Sequence, residues 1–153
     1  MNTKHIISVL VKDRPGVLAR VAGLFNRRSF NISSLAVGPS ETPKVSRMTI
    51  VLQGDEKQLD QITKQLRKLI DVLKIEDFTG LRRKFVDREL VLIKVKSTSN
   101  TRSEIIEVAE IFRSKIVDVG PKSLTVEVTG DEGKIDAILN LVAKFGILEV
   151  VRT

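Results

Sequence analysis

Residues 6–25, IISVLVKDRPGVLARVAGLF, contain the change of periodicity that decides the fold. Residues 6–11 form a short apolar run rich in β-branched side chains, and residues 13–16 (DRPG) end it with turn and helix-start residues. Apolar residues then recur at helical spacing, at Val17, Leu18, Val21, Ala22, Leu24 and Phe25. The stretch therefore predicts a strand that leads directly into a helix.

The remainder of the first half predicts two strands, a second helix and a last strand. Residues 31–37 and 45–52 are typical of strands, and a turn containing Gly and Pro joins them. Gly54 and Asp55 open a second helix with one apolar face, and residues 72–78 are again β-rich. The predicted order is β-α-β-β-α-β.

The second half repeats this order. It predicts strands over residues 89–96, 116–119, 123–128 and 147–151, and helices over residues 103–112 and 131–144. Three short matches recur in the same order, because residues 21–25, 37–39 and 54–56 resemble residues 108–112, 119–121 and 130–132. Shared turn chemistry alone can produce the last match, whereas all three together indicate an internal repeat.

The sequence therefore predicts an α+β protein of two ferredoxin-like βαββαβ domains, with helices on one face of each four-stranded antiparallel sheet. The predicted domains are residues 1–79 and 80–153, because Gly80 and a basic run interrupt the apolar pattern near residues 79–87. Domains of about 70 residues bury little core alone. We therefore expect an open sheet face or edge strand to pair with another domain or subunit, giving at least a homodimer.

Composition narrows the classes of function. The net charge of +7 permits nucleic-acid binding, but the cations are spread over predicted helix faces beside acidic residues, and there is no Trp or Tyr for base stacking. We therefore expect no nucleic acid, and an acidic protein partner fits the charge equally well. No apolar run approaches the ~20 residues of a membrane span, and no secretory signal is visible. We expect a cytoplasmic protein without membrane contact.

Catalytic chemistry has little support in this sequence. The chain has no Cys, which excludes disulfides and thiolate nucleophiles. His5 is the only histidine and is expected to be structural or exposed, so a catalytic triad or zinc site would rest on it alone. We expect no catalytic residue and no metal site. A stand-alone enzyme, a nucleic-acid-binding module and a regulatory subunit nevertheless stay open at this point.

The strongest candidate for a binding site is the first strand-to-helix junction. A helix start presents free N–H groups that can hold a carboxylate, and Gly16 permits close approach. Asn31 follows the helix, and its amide can both donate and accept, which suits an α-amino acid head group. The same residues also fit an ordinary proline-initiated helix and a turn asparagine. The pattern alone leaves both interpretations open.

A resemblance to a known family covers nearly the whole chain. Residues 13–21 (DRPGVLARV), 30–32 (FNI) and 34–39 (SLAVGP) resemble the amino-terminal ACT domain of acetolactate synthase small subunits. Residues 46–50 and 64–72 continue the resemblance, and so do residues 88–90, 109–113, 116–119 and 141–147 in the second half.

The resemblance implies a regulatory subunit without cofactors of its own. It implies ACT domains that pair as a homodimer and bind valine, with leucine or isoleucine as further effectors. The subunit would raise the activity of a catalytic large subunit and confer feedback inhibition by valine in branched-chain amino acid biosynthesis. Thiamine diphosphate, Mg²⁺ and FAD would belong to that partner. The motif positions place Asp13, Gly16, Val17 and Leu18 on one side of the valine site, and Asn31 and Ile32 of the partner subunit on the other. Many relatives have Asn at the position of Asp13, whose carboxylate favours the ligand's ammonium and repels its carboxylate.

Overall fold

Two copies of one element order make up the chain in this computed structural model, which describes residues 3–28, 30–78 and 84–153. The copies form two compact units, Met1–Phe85 and Val86–Thr153. The predicted boundary between residues 79 and 80 lies outside the described residues.

The first unit is a four-stranded antiparallel sheet with two helices. Its elements are β1 (Thr3–Lys12), α1 (Val17–Arg27), β2 (Ile32–Pro39), β3 (Val45–Gly54), α2 (Glu56–Arg67) and β4 (Val72–Asp77). The strand order is β2-β3-β1-β4, so β2 and β4 are the edge strands.

The second unit has the same topology. Its elements are β5 (Glu89–Lys96), α3 (Arg102–Ile111), β6 (Lys115–Val119), β7 (Ser123–Gly130), α4 (Glu132–Val142), a 3₁₀ turn (Ala143–Phe145) and β8 (Ile147–Arg152). The strand order β6-β7-β5-β8 corresponds to that of the first unit. The predicted fold class is therefore confirmed, with two βαββαβ units.

Strand alternation places one buried core between the sheet and the helices of each unit. In β1 the side chains of Ile7, Val9 and Val11 are fully buried, since every second residue of a strand points to the same face. They pack with the buried stripes of both helices, which contain Val17, Val21 and Phe25 of α1 and Leu59, Ile62 and Leu66 of α2. The helices therefore cover one face of the sheet.

Element ends differ from the sequence predictions by a few residues. The β1–β3 ladder extends to the pair Thr3↔Gly54, so both strands are longer than their apolar runs. The last helix was predicted over residues 131–144, but α4 ends at Val142 and continues as the 3₁₀ turn. Gly146, at a positive φ of 100°, then ends this turn, and β8 begins at the next residue.

His5 is a structural residue, as the sequence indicated. Its side chain is almost completely buried on β1, and its Nε2–H donates to the Gly54 carbonyl oxygen of the neighbouring strand at 3.0 Å. This bond ties the beginning of β1 to the end of β3.

Candidate functional site

The β1–α1 junction carries the unusual backbone geometry of the first unit. Gly16 is the N-cap of α1 and has φ 84° and ψ −8°, in the left-handed region that favours glycine. The first intrahelical bond runs from the Arg20 N–H to the Gly16 carbonyl at 3.1 Å. The N–H groups of the preceding helical residues therefore have no partner one turn earlier in the helix.

Three backbone hydrogen bonds fix residues 13–16, which we call the effector loop after the role that we propose for it below. The Asp13 N–H donates to the Lys44 carbonyl at 2.9 Å, and the Arg14 N–H donates to the Lys12 carbonyl at 3.0 Å. The Val17 N–H donates to the Arg14 carbonyl at 3.4 Å, a long bond. The loop is therefore a tight turn against the β2–β3 connection.

The predicted residues of this loop differ in what they offer a ligand. Asp13 and Gly16 are exposed, whereas the Val17 side chain is buried in the core, so Val17 can contribute only backbone atoms. The side chain of Leu18 is 45% exposed in the first turn of α1. The Val17 N–H already makes the long bond to Arg14, so the junction presents the N–H groups of the following residues of the first turn, an exposed carboxylate and an exposed apolar side chain.

The other three helices begin differently. Asp55 caps α2 by accepting from the Gln58 N–H at 2.7 Å, and Asp131 caps α4 by accepting from the Lys134 N–H at 2.9 Å. Helix α3 has Glu104 in its first turn. Among the helices of the described residues, α1 alone begins with neither a side-chain cap nor an acidic residue in its first turn. Its partial positive charge is therefore available to an anion.

Asn31 and Ile32 lie beyond the opposite end of α1. The helix has 11 residues, a length of about 16 Å at ~1.5 Å per residue. Asn31 is exposed, and Ile32 is partly buried against the core at the beginning of β2. One chain therefore does not bring Asn31 to Gly16, and a site that contains both needs two copies.

The edge strand β2 carries exposed apolar side chains. Leu35 pairs with Ile50 and Val37 pairs with Met48, and both partners on β3 are buried in the core. Leu35 and Val37 are exposed large hydrophobic residues, although direct pairs lie on the same face of a sheet. This edge of the sheet is therefore apolar and uncovered in the single chain.

The sequence reasoning missed an ionic cluster beside the effector loop. The carboxylate of Asp71, which directly precedes β4, is 7% exposed and lies 2.7 Å from Arg20 Nη2 and 3.8 Å from Arg14 Nη1. The available signal was a single acidic residue in the apolar stretch Leu69-Ile70-Asp71-Val72. The sequence did not show which cationic side chains form ion pairs with this aspartate.

Two further features of the described residues bear on function. No helix in residues 3–28, 30–78 or 84–153 is long and apolar enough to cross a membrane. Within the same part of the chain, no group of three or more His, Cys, Asp or Glu residues is placed to hold a metal ion.

Known proteins match both units. Residues 7–74 match the family model of the AHAS small subunit-like ACT domain, and residues 88–153 match that of the small subunit of acetolactate synthase. A probable acetolactate synthase small subunit from Methanothermobacter thermautotrophicus is 58% identical over 150 residues, which are 97% of this chain and 88% of the relative. The chain belongs to the acetolactate synthase small-subunit family.

Two further members of the acetolactate synthase small-subunit family support this assignment. A probable small subunit from Archaeoglobus fulgidus is 52% identical over 150 residues, 98% of this chain and 92% of the relative. The crystal structure of the small subunit from Thermotoga maritima superposes with a TM-score of 0.90 at 44% identity, covering 99% of this chain and 93% of that one. The resemblance inferred from sequence is confirmed, and the first unit is an ACT domain.

Proposed function

We propose that this chain is a regulatory subunit that raises the activity of a catalytic acetolactate synthase large subunit and confers feedback inhibition by valine, with leucine or isoleucine as further effectors. Family membership over the whole chain supports the partner. The observation that supports an effector site at this position is the uncapped start of α1 in the ACT domain.

The proposed site matches the two charges of an α-amino acid. The ligand's carboxylate would accept from the free N–H groups at the start of α1, where the helix dipole favours an anion. The exposed carboxylate of Asp13 would face the ligand's ammonium rather than its carboxylate. Leu18, exposed in the first turn, would contact the branched side chain.

A second copy of the chain would complete this site. Asn31 and Ile32 of the partner subunit would approach the effector loop, because they lie at the far end of α1 within one chain. The uncovered edge strand β2, with Leu35 and Val37 exposed, supports a homodimer through the ACT domains, since unpaired apolar edges tend to be covered. Valine would then bind between two subunits.

The chemistry of acetolactate formation would lie entirely in the catalytic subunit. In this proposal thiamine diphosphate, Mg²⁺ and FAD bind to that subunit, and the present chain is not an enzyme by itself. The complex would act in the cytoplasm, a compartment with which a chain of 153 residues without Cys is compatible.

Mixing the chain with its cognate catalytic subunit tests the proposal. We expect no acetolactate from pyruvate with the chain alone, faster turnover on mixing, and inhibition of the mixed enzyme by valine. Calorimetric titration with valine, leucine and isoleucine would rank the effectors. Turnover by the isolated chain, or no effect on the catalytic subunit, would refute the regulatory role.

A further inference from the structure

The buried carboxylate of Asp71 bridges two arginines of the α1 region. Oδ2 of Asp71 lies 2.7 Å from Arg20 Nη2, and Oδ1 lies 3.8 Å from Arg14 Nη1. Both arginine side chains are more than half exposed, whereas the aspartate is 7% exposed. A carboxylate that is buried to this extent needs cationic partners, because an unpaired buried charge is strongly unfavourable.

These contacts enclose the effector loop. Arg14 lies inside the loop, and the Arg20 N–H makes the first helical bond to Gly16. The backbone carbonyl of Asp71 also accepts from the Lys12 N–H at 2.9 Å. Asp71 therefore contacts the chain before, within and after Pro15 and Gly16.

Val17 and Val21 anchor α1 in the core, but a space remains beside the start of the helix. A cavity of about 280 Å³ separates the start of the helix from the chain that precedes β4, and Val17, Arg20 and Asp71 are among the residues that line it. The ion pairs of Asp71 cross this region. They therefore add a polar link between the first turns of α1 and the residue before β4 to the apolar packing of Val17 and Val21.

The second unit retains the backbone contact and lacks the carboxylate. The Lys96 N–H donates to the Gly146 carbonyl at 2.7 Å, as Lys12 does to Asp71, so Gly146 occupies the corresponding position. The pairs Val11↔Val72 and Val95↔Ile147 establish this correspondence. The βαββαβ fold therefore requires only the backbone bond, and the carboxylate is an addition to the unit with the proposed effector site.

We infer that Asp71 is a positioning residue of the effector site, holding the loop through Arg14, Arg20 and Lys12. Gly16 gives this loop more conformational freedom than any other residue would, so the ion pairs restrict the directions of the N–H groups that receive the ligand. A preorganised site binds more tightly than one that must be ordered on binding. The inference rests on the proposed effector function.

The decisive variant is Asp71→Asn, which keeps the shape and the backbone carbonyl but removes the charge. We expect about tenfold weaker valine binding in calorimetric titration of the full chain. Asp60→Asn is the matched control, because Asp60 is 64% exposed on α2 and pairs with Lys64 only one turn away. It removes the same charge from the same unit, and its valine affinity should equal that of the wild type.

A conservative variant and amide exchange distinguish positioning from general stability. Asp71→Glu restores the charge, and the adjacent cavity can accept the extra methylene group, so its affinity should return to within about threefold of the wild type. Hydrogen exchange without ligand should be faster in Asp71→Asn at residues 13–18 and unchanged at residues 97–102. Equal affinity of folded Asp71→Asn and wild type would overturn the inference.

Two other outcomes are distinguishable. If Asp71→Asn does not fold, Arg14→Gln tests the inference instead, because it removes one exposed partner of the Asp71 carboxylate. We expect Arg14→Gln to bind valine about threefold more weakly than the wild type. Unchanged valine affinity in this variant would overturn the inference. If the wild type binds none of valine, leucine and isoleucine, the proposed effector function fails, and the positioning role fails with it. A wild type that binds while Asp71→Asn binds equally well contradicts the positioning role alone.

Discussion

The two units start their first helices from corresponding places in different ways. Asp13 and Ser97 occupy equivalent positions, because their N–H groups donate to the carbonyls of Lys44 and Lys122 at the equivalent β-hairpins. Three residues separate Lys12 from the N-cap Gly16 in the first unit, whereas four separate Lys96 from the N-cap Thr101 in the second. The second loop is therefore longer by one residue.

The longer loop is closed by a reciprocal pair of threonine side-chain hydrogen bonds. The Thr98 N–H donates to Thr101 Oγ1 at 2.9 Å, and the Thr101 N–H donates to Thr98 Oγ1 at 3.3 Å. The effector loop has no such reciprocal side-chain pair among the described residues and is held from outside by Lys44 and Asp71. One topology can thus carry two kinds of loop before its first helix. The loop before α3 is closed by its own threonines and leads to a first turn with Glu104, whereas the loop before α1 is held from outside and leads to a first turn without an acidic residue.

Separating the two units should give the largest contrast. We expect residues 1–85 to bind valine and residues 86–153 to show no detectable binding. Helix α1 begins at Gly16 without an acidic residue in its first turn, whereas α3 carries Glu104 there, which repels the ligand's carboxylate. Circular dichroism and size-exclusion chromatography would establish that each fragment is folded, before calorimetry. Comparable valine binding by both fragments would contradict the inferred difference between the starts of α1 and α3.

Substitution of Gly16 should nearly abolish binding in the intact chain. Gly16→Asp adds a negative charge where the ligand's carboxylate must approach, and it places a side chain at a positive φ, which costs about 1–2 kcal/mol. A Cβ at Gly16 would meet no atom within 4 Å, so no clash within the chain contributes. We expect valine affinity to fall by more than about a hundredfold, since the charge effect adds to the strain.

Gly16→Asn is the matched control for Gly16→Asp. Asparagine has the same shape without the charge and tolerates the left-handed region better than most residues. It should bind valine more tightly than Gly16→Asp in the same titration. Equal loss in both variants would assign the effect to bulk rather than to charge.

Removing the amide of Asn31 should have an intermediate effect. Hydrogen bonds to a charged group contribute about 1.5–3 kcal/mol, so Asn31→Ala should weaken valine binding roughly tenfold to a hundredfold. Asn100→Ala makes the same change in the loop of the second unit and should leave the affinity unchanged. Thermal melts would show that both variants fold. Unchanged affinity in folded Asn31→Ala would remove Asn31 from the site.

The smallest effects are expected where the two units are alike. Asp55 and Asp131 cap α2 and α4 through the same bond to the N3 amide, so each change to Ala should reduce the stability of its own unit by about 1 kcal/mol. Urea unfolding of the separate fragments measures this. A change in valine affinity in either variant would show that the effector site depends on more than the first helix and its neighbours.

Sequence periodicity determined the elements, but it placed two of the three internal matches out of structural register. The bond from Phe30 to Phe25 corresponds to that from Ser114 to Ala109, so Phe25 is equivalent to Ala109 rather than to Phe112. The shift is three residues, nearly one helical turn, which returns to about the same face. The apolar patterns of the two helices therefore match almost equally well with and without this shift.

The strand match shows the same effect with the period of a strand. Pro39 is equivalent to Val119 rather than to Pro121, because each ends its strand before the hairpin, and the second hairpin is shorter by two residues. A shift of two preserves the face of a strand. The third match, Asp55 with Asp131, is in register, since an N-cap is fixed by local hydrogen bonds.

The sequence by itself determined the βαββαβ repeats and the family, because these depend on local periodicity, turn residues and motifs. It named Gly16 as a candidate site residue but left an ordinary helix start as an alternative. Only the tertiary structure decided that Asp71 meets Arg14 and Arg20, more than 50 positions earlier in the chain. Pairing between distant residues depends on sheet order and helix packing, which local patterns do not contain.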